Sequence, residues 1–142
     1  MTFRTLATLA AFAVAGCGDS TGVTLLDLTG TWTATEFTFI SVADPDVTFD
    51  FVEAGGSATL QINADGSTQM TINLAGDNDS DSGTISVTGQ TVTLEVDGDA
   101  STGTIARNGD RLTINLTTGV EFDFDNNGTD DPATFRGVFE KQ

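Results

Sequence analysis

The chain of 142 residues is strongly acidic, with 21 Asp and Glu residues against 5 Lys and Arg residues and a formal net charge of −16. This charge disfavours binding to nucleic acids and to anionic lipid surfaces, because both would repel the protein. The chain has no His, no Tyr and one Cys, which removes the usual general base and the usual ligands of zinc, copper and haem. The composition therefore predicts a monomer that is not an enzyme.

The first sixteen residues have the parts of a bacterial export signal. Arg4 provides a positive charge, and the apolar stretch 6–15 is too short to span a bilayer as a helix. The stretch ends in Val14-Ala15-Gly16-Cys17, which resembles the lipobox of bacterial lipoproteins. The resemblance implies cleavage before Cys17 and lipidation of that residue, since two or three acyl chains hold a protein firmly at a membrane. An ordinary secretory signal, or an uncleaved helix, is the alternative.

The lipoprotein resemblance implies a protein of the cell envelope whose membrane contact is its N-terminal lipid anchor. In many double-membraned bacteria an Asp after the lipidated Cys resembles a signal for retention at the inner membrane. Gly18 stands at that position and favours the outer membrane if the host has one. The expected organisation is a cleaved signal at 1–16, an acylated Cys with a short tether at 17–27, and one folded domain at 28–142.

From Leu28 onward, apolar and polar residues alternate in short runs such as Ala58, Leu60 and Ile62. Such alternation places the apolar side chains on one face of a strand, as in an antiparallel sheet with one dry face. Gly, Asn and Asp residues separate the runs and are typical of tight turns. The predicted strands are 31–42, 47–52, 57–63, 68–74, 84–88, 91–96, 101–106, 111–116, 120–124 and 133–140.

These strands predict an all-β, up-and-down antiparallel meander of about eight to ten strands, and closure into a barrel would remove its exposed edges. A two-sheet β-sandwich is the alternative. The first strand begins Leu28-Thr29-Gly30-Thr31-Trp32, and a Gly-x-Trp at this place resembles the opening motif of lipocalins. The resemblance implies a lipocalin-like barrel in which Trp32 packs across the closed end, although Trp32 also suits a plain core position. Arg136 is the candidate for the arginine that lipocalins carry in their C-terminal strand.

Lipocalin-like barrels commonly hold a small apolar ligand, so the resemblance implies a lipid-anchored binding module for a small hydrophobic molecule. Small barrels can also be filled by their own side chains. The sequence leaves open whether a cavity remains, and it assigns no ligand-binding residue. A filled interior would favour a structural or interaction domain of the envelope. A hydrolase that relies on paired carboxylates is a third hypothesis, but the Asp residues fall mainly in predicted turns and loops.

One acidic loop, residues 123–131, resembles the calcium loops of EF-hands and of calcium-binding repeats. Calcium takes about six to eight oxygen ligands, and Gly128 would allow the chain to wrap around the ion. Thr134 stands where an EF-hand has Glu, and an acidic hairpin loop without metal is the alternative. A second acidic stretch, 77–83, is predicted to be a solvated loop. The possible calcium ligands are Asp123, Asp125, Asn127, Thr129 through its carbonyl, and Asp131.

Overall fold

The computed structural model describes residues 22–142, so the predicted signal and Cys17 lie outside the described residues. The described chain forms one short helix followed by nine strands. In chain order the elements are α1 (Leu25–Leu28), β1 (Gly30–Ser41), β2 (Thr48–Asp50), β3 (Ser57–Ile62), β4 (Ser67–Leu74), β5 (Asp77–Thr88), β6 (Thr91–Val96), β7 (Asp99–Asn108), β8 (Arg111–Phe122) and β9 (Asp131–Lys141).

The strands form one closed antiparallel barrel. Each strand from β3 to β9 pairs with the next one along the chain, and β1 lies between β3 and β9. The pairing of β1 with β9 runs from Trp32 opposite Lys141 to Ser41 opposite Ala133. Eight strands therefore close the barrel, and β2 is an additional strand on the second half of β1. The predicted up-and-down barrel is confirmed, and the alternative of a two-sheet sandwich is wrong.

The hydrophobic core fills the half of the barrel that contains the start of β1. Trp32, Val92, Leu112 and Phe139 are completely buried there. Successive side chains of a strand point to opposite faces, and the apolar face is turned inward, as the sequence predicts. Burial of this apolar surface contributes about 25 cal/mol per Å². The apolar residues of the predicted strand 57–63 are each 1 % exposed: Ala58, Leu60 and Ile62.

The two ends of the barrel differ. The turns that follow β3, β5 and β7 lie at the same end as the start of β1, and we call this the closed end. The turns that follow β4 and β6, and the loop 123–130 that follows β8, lie at the opposite end. We call this second end the open end.

The chain from Gly22 to Leu28 covers the closed end. Leu28 is completely buried, and its carbonyl oxygen accepts a hydrogen bond of 2.8 Å from Trp32 Nε1. The backbone N–H of Val23 donates to the carbonyl of Gly89 in the β5–β6 turn at 3.1 Å. Residues 22–27, which the sequence assigned to the tether, are therefore folded against the barrel, and Val23 and Leu25 pack on its core.

Trp32 lies beneath two cations at the closed end. The guanidinium carbon of Arg107 is 5.8 Å from the Trp32 ring centroid, and Lys141 Nζ is 5.3 Å from it. Arg107 Nη1 also donates to the carbonyl of Asp27 at 2.7 Å. Arg107 on β7 thus connects the tryptophan ring to α1. The sequence left two interpretations of Trp32, and the structure supports the one in which Trp32 packs across the closed end of the barrel.

Arg136, the candidate for the lipocalin arginine, lies elsewhere. Its Nε is 2.8 Å from Glu36 Oε1, and the side chain is about half exposed. The position alternates outward on β9, between the buried residues Phe135 and Gly137. Among residues 22–142, the cations that lie over the Trp32 ring are Arg107 and Lys141, whereas Arg136 pairs with Glu36 on the outer wall.

Two segments of strand also differ from the prediction. Residues 77–82, predicted as a solvated loop, form the first half of β5 and pair with β4 from Leu74 opposite Asp77 onward. The predicted strands 111–116 and 120–124 are one strand, β8, with an irregular register between Leu116 and Val120. Gly119 lies within it at φ +71°, in the left-handed region that side chains disfavour. The bulge breaks the alternation, which explains the division predicted from the sequence.

Asp50 joins β2 to the barrel wall. Its carboxylate accepts hydrogen bonds from the backbone N–H groups of Phe37 at 3.2 Å, Val52 at 2.7 Å and Glu53 at 3.0 Å. The Thr38 hydroxyl donates to it as well. Partial burial raises the pKa of this carboxyl, but the hydrogen bonds outweigh burial and hold the pKa below its ordinary value. The ionised form of Asp50 is therefore the one that stabilises the fold.

We expect Asp50→Asn to lower the free energy of unfolding by about 1–2 kcal/mol at pH 7, because an amide replaces one accepting oxygen with a donor. A depressed pKa contributes stability above the ordinary pKa and loses it as the pH falls through the folded-state pKa. The difference between parent and variant should therefore shrink at pH 3. Urea unfolding at both pH values measures it, and Asp46→Asn in the preceding exposed loop is the control. A difference that does not change with pH would contradict this role.

At the closed end we expect Arg107→Ala to destabilise the protein by about 1–2 kcal/mol, because it removes a cation–π contact and a charged hydrogen bond. Arg111→Ala is the matched control, since Arg111 is exposed at the same end of the barrel. Its effect should remain within about 0.5 kcal/mol. Urea unfolding followed by the fluorescence of Trp32 measures both variants. Equal losses for the two would show that Arg107 has no special part in covering the tryptophan.

Candidate functional site

The open half of the barrel contains a cavity of about 280 Å³. Its walls are mainly apolar and come from seven strands, five of which supply the apolar side chains, while polar groups stand around its mouth. The apolar wall consists of Phe37, Phe39, Met70, Ile72, Leu94, Val96, Leu116, Val120 and Phe135. The polar and small residues are Asp81, Ser101, Gly119 and Glu121. The interior is thus filled in its closed half and open in the other half.

The inner faces of β5 and β7 explain why side chains do not fill this half. Both strands carry a buried Ile near the closed end, then Gly, and then polar residues towards the mouth. Cross-strand pairing places these residues on the inner face, because Asp81 lies opposite Met70 and Gly103 lies opposite Val92. In order towards the mouth, β5 presents Ile85, Gly83, Asp81 and Asp79, and β7 presents Ile105, Gly103, Ser101 and Asp99.

Glycine is required at two of these positions by the close approach of neighbouring strands. A Cβ atom at Gly83 would collide with the carbonyl oxygen of Glu95, and one at Gly103 would collide with the carbonyl of Asn115. Gly103 also lies at a register irregularity between β7 and β8. Tight coiling of the wall therefore excludes larger side chains at the level where the cavity begins.

Three phenylalanine rings form one side of the cavity. The ring centroids of Phe37 and Phe39 are 5.9 Å apart, those of Phe37 and Phe135 are 4.7 Å apart, and those of Phe39 and Phe135 are 5.4 Å apart. These rings belong to a larger network that joins β1, β2, β8 and β9. It contains all eight phenylalanines of residues 22–142: Phe37, Phe39, Phe49, Phe51, Phe122, Phe124, Phe135 and Phe139.

The mouth of the cavity is acidic. Asp81 and Glu121 line the cavity itself. A second hollow of about 360 Å³ adjoins it and is lined by Asp99, Ala100, Gly119 and Glu121. Within residues 22–142 the basic side chains lie at the closed end or on the outer wall: Arg107, Arg111, Arg136 and Lys141. The described open end therefore carries carboxylates without basic partners.

The sequence analysis did not identify Asp79 and Asp81 as residues of the barrel interior, because it treated 77–83 as a loop. The signal was nevertheless present, since the alternation of Val87 and Ile85 continues through Gly83 to Asp81 and Asp79. Alternation alone would have placed both carboxylates on the inner face. The size of the cavity has no such signal, because it depends on the combined volumes of side chains from seven strands.

In the predicted calcium loop, side-chain oxygens accept hydrogen bonds from backbone N–H groups of the same loop. Asp123 accepts hydrogen bonds from the N–H groups of Gly128 at 2.8 Å and Asn127 at 3.1 Å, and the first of these is the main reason that its pKa lies below the ordinary value. Asn127 Oδ1 accepts from the Thr129 N–H at 2.7 Å. In residues 22–142 no group of three or more His, Cys, Asp or Glu side chains is arranged to hold a metal ion. Calcium binding stays a prediction of the sequence.

Two further observations concern the membrane and the anchor. No helix within residues 22–142 is long and apolar enough to cross a membrane. The lipidation site Cys17 precedes the described residues, so its modification also stays a prediction.

Comparison with protein families supports the barrel assignment. The family model of the lipocalin-like domain matches residues 28–114, which is more than half of the chain. The matched segment runs from the end of α1 to the middle of β8. A search of curated proteins gave no match.

Proposed function

The chain belongs to the lipocalin-like domain family, and we propose that it binds a small hydrophobic molecule in the open half of its barrel. The observation that carries the proposal is the cavity of about 280 Å³ with walls of aliphatic and phenylalanine side chains. Ligand sites are typically apolar concavities of roughly 300–1,000 Å³, so this one suits a small ligand. Under this proposal the protein is a binding module rather than an enzyme, which agrees with the generally non-enzymatic character of the family.

We also propose that lipid on Cys17 holds the protein at the cell envelope. In a double-membraned host this would be the outer membrane. The lipobox-like motif supports this part of the proposal. Four residues separate Cys17 from Gly22, so the five Cα–Cα steps between them can span at most about 18 Å. Gly22 lies at the closed end, beside the β5–β6 turn. An anchor at Cys17 would therefore turn the closed end towards the membrane and the mouth of the cavity away from it.

We expect Met70→Trp to abolish or weaken at least tenfold the binding of a small neutral hydrophobic probe such as octanol. The larger side chain would occupy space inside the cavity, whose wall includes Met70. Calorimetric titration of the purified protein measures the affinity, and native mass spectrometry identifies any molecule that co-purifies.

Gln69→Trp is the matched control, because Gln69 precedes Met70 on β4 and is exposed on the outer face. It should bind the probe as the parent does. Equal loss in both variants, or no binding by the parent, would contradict the proposed site. In the second case a structural or interaction domain of the envelope becomes the better interpretation.

For the anchor we expect radiolabelled fatty acid to be incorporated into the parent protein and lost in Cys17→Ala. The thiol of Cys17 is the only one in the chain, so no other cysteine can replace it. Cell fractionation should show the parent with the membranes and the variant released from them, since the acyl chains supply the membrane affinity. Label that survives the substitution would contradict lipidation at Cys17.

A further inference from the structure

The polar groups of the cavity are all placed at its mouth and are mostly negative. Asp81 faces the interior opposite Met70. Glu121 borders both hollows, but it lies opposite Pro132 and between the inward residues Val120 and Phe122, so its side chain turns outward at the rim. Asp99 lines the second hollow, and Asp79 continues the inner face of β5 above Asp81. A ligand whose apolar part occupies the cavity would thus have its polar end among carboxylates.

The charge of the described open end has no local compensation. The four basic residues of 22–142 lie at the closed end or on the outer wall, and Arg136 is paired with Glu36. A ligand carboxylate or phosphate at the mouth would be repelled, whereas a cation would be attracted. Charge complementarity therefore separates cationic ligands from the anionic amphiphiles, such as fatty acids, that would fit the same apolar walls.

The aromatic wall offers a surface for the apolar part of a ligand. Phe37, Phe39 and Phe135 contact one another and line the cavity. An apolar wall below a mouth with carboxylates suits a molecule that has an apolar body and an ammonium end.

We propose that the ligand of the cavity is a small amphipathic cation, with an apolar body that lies against the phenylalanine and aliphatic walls and an ammonium group near Asp81 and Asp99. This inference rests on the proposed hydrophobic binding and specifies the chemical class of the ligand. The volume of about 280 Å³ limits the apolar body to a short alkyl chain or a single small ring system.

Three probes of equal chain length test the proposal on the full chain: octylamine, octanol and octanoate, titrated by calorimetry at pH 7. An alkylamine is protonated at this pH, as a lysine side chain is. We expect octylamine to bind about tenfold more tightly than octanol, and octanoate to bind most weakly. At 1 M salt, where the Debye length is about 3 Å, the preference for the amine should fall to about twofold or less.

The outcomes distinguish the two proposals. If octanol or octanoate binds as tightly as octylamine, the cation preference is wrong and hydrophobic binding stands. If none of the three binds, the proposed function is wrong as well. A preference for the amine that does not respond to salt would also overturn the role given to the carboxylates.

Two variants locate the charge effect. Asp81→Asn should weaken octylamine binding about threefold, in the range of one partly exposed ion pair, while octanol affinity stays unchanged. The unchanged octanol affinity also shows that the variant is folded. Asp110→Asn removes the same charge at the closed end, where Asp110 is exposed in the β7–β8 turn, and should leave both affinities unaltered. If the two variants had equal effects, the preference for octylamine would come from the net charge of the protein and not from the carboxylates at the mouth.

Discussion

The pairing of β1 with β9 is the constraint on which the rest of the structure depends. An antiparallel meander leaves its first and last strands as unpaired edges, and here the two edges pair with each other from Trp32 to Ser41. β1 also has a second partner along each half. β3 pairs with it from Gly30 to Thr33, and β2 pairs with it from Thr38 to Ile40. The short strand β2 therefore completes the seam where β3 does not reach, and Asp50 holds it there through backbone and hydroxyl donors.

Closure of the barrel creates an interior that the sequence fills unevenly. Towards the closed end, Trp32, Leu60, Ile62 and Leu112 leave little space. Towards the open end, glycine and short polar residues replace large side chains on β5 and β7. An unfilled apolar wall loses dispersion contacts that a packed core would have. A ligand of matching shape would restore those contacts, so this incomplete filling is itself a basis for binding.

The sequence was sufficient for the features that depend on local alternation, and insufficient for those that depend on neighbours distant in the chain. Strand 57–62 follows directly from its apolar period of two. The strand at 77–82 was missed because its backbone is held by pairing with β4, whereas its Asp and Ser side chains have low strand propensity. Arg107 was missed for a related reason: nothing near it in sequence indicates Trp32, and only the order of β1 and β7 around the barrel brings the two side chains together.

The acidic composition has a more specific meaning once the fold is known. A net charge predicts which partners are repelled at a distance, but it does not show where the charges are. In this barrel the described basic residues lie around the closed end and on the outer wall, while the charged groups described at the mouth are carboxylates. In the proposed binding, the two kinds of surface at the cavity would have different effects. Carboxylates at the rim would influence which molecules approach and in what orientation, whereas the buried apolar walls would supply affinity that salt does not screen. A charge that repels anionic partners at long range would then also select the ligand at short range.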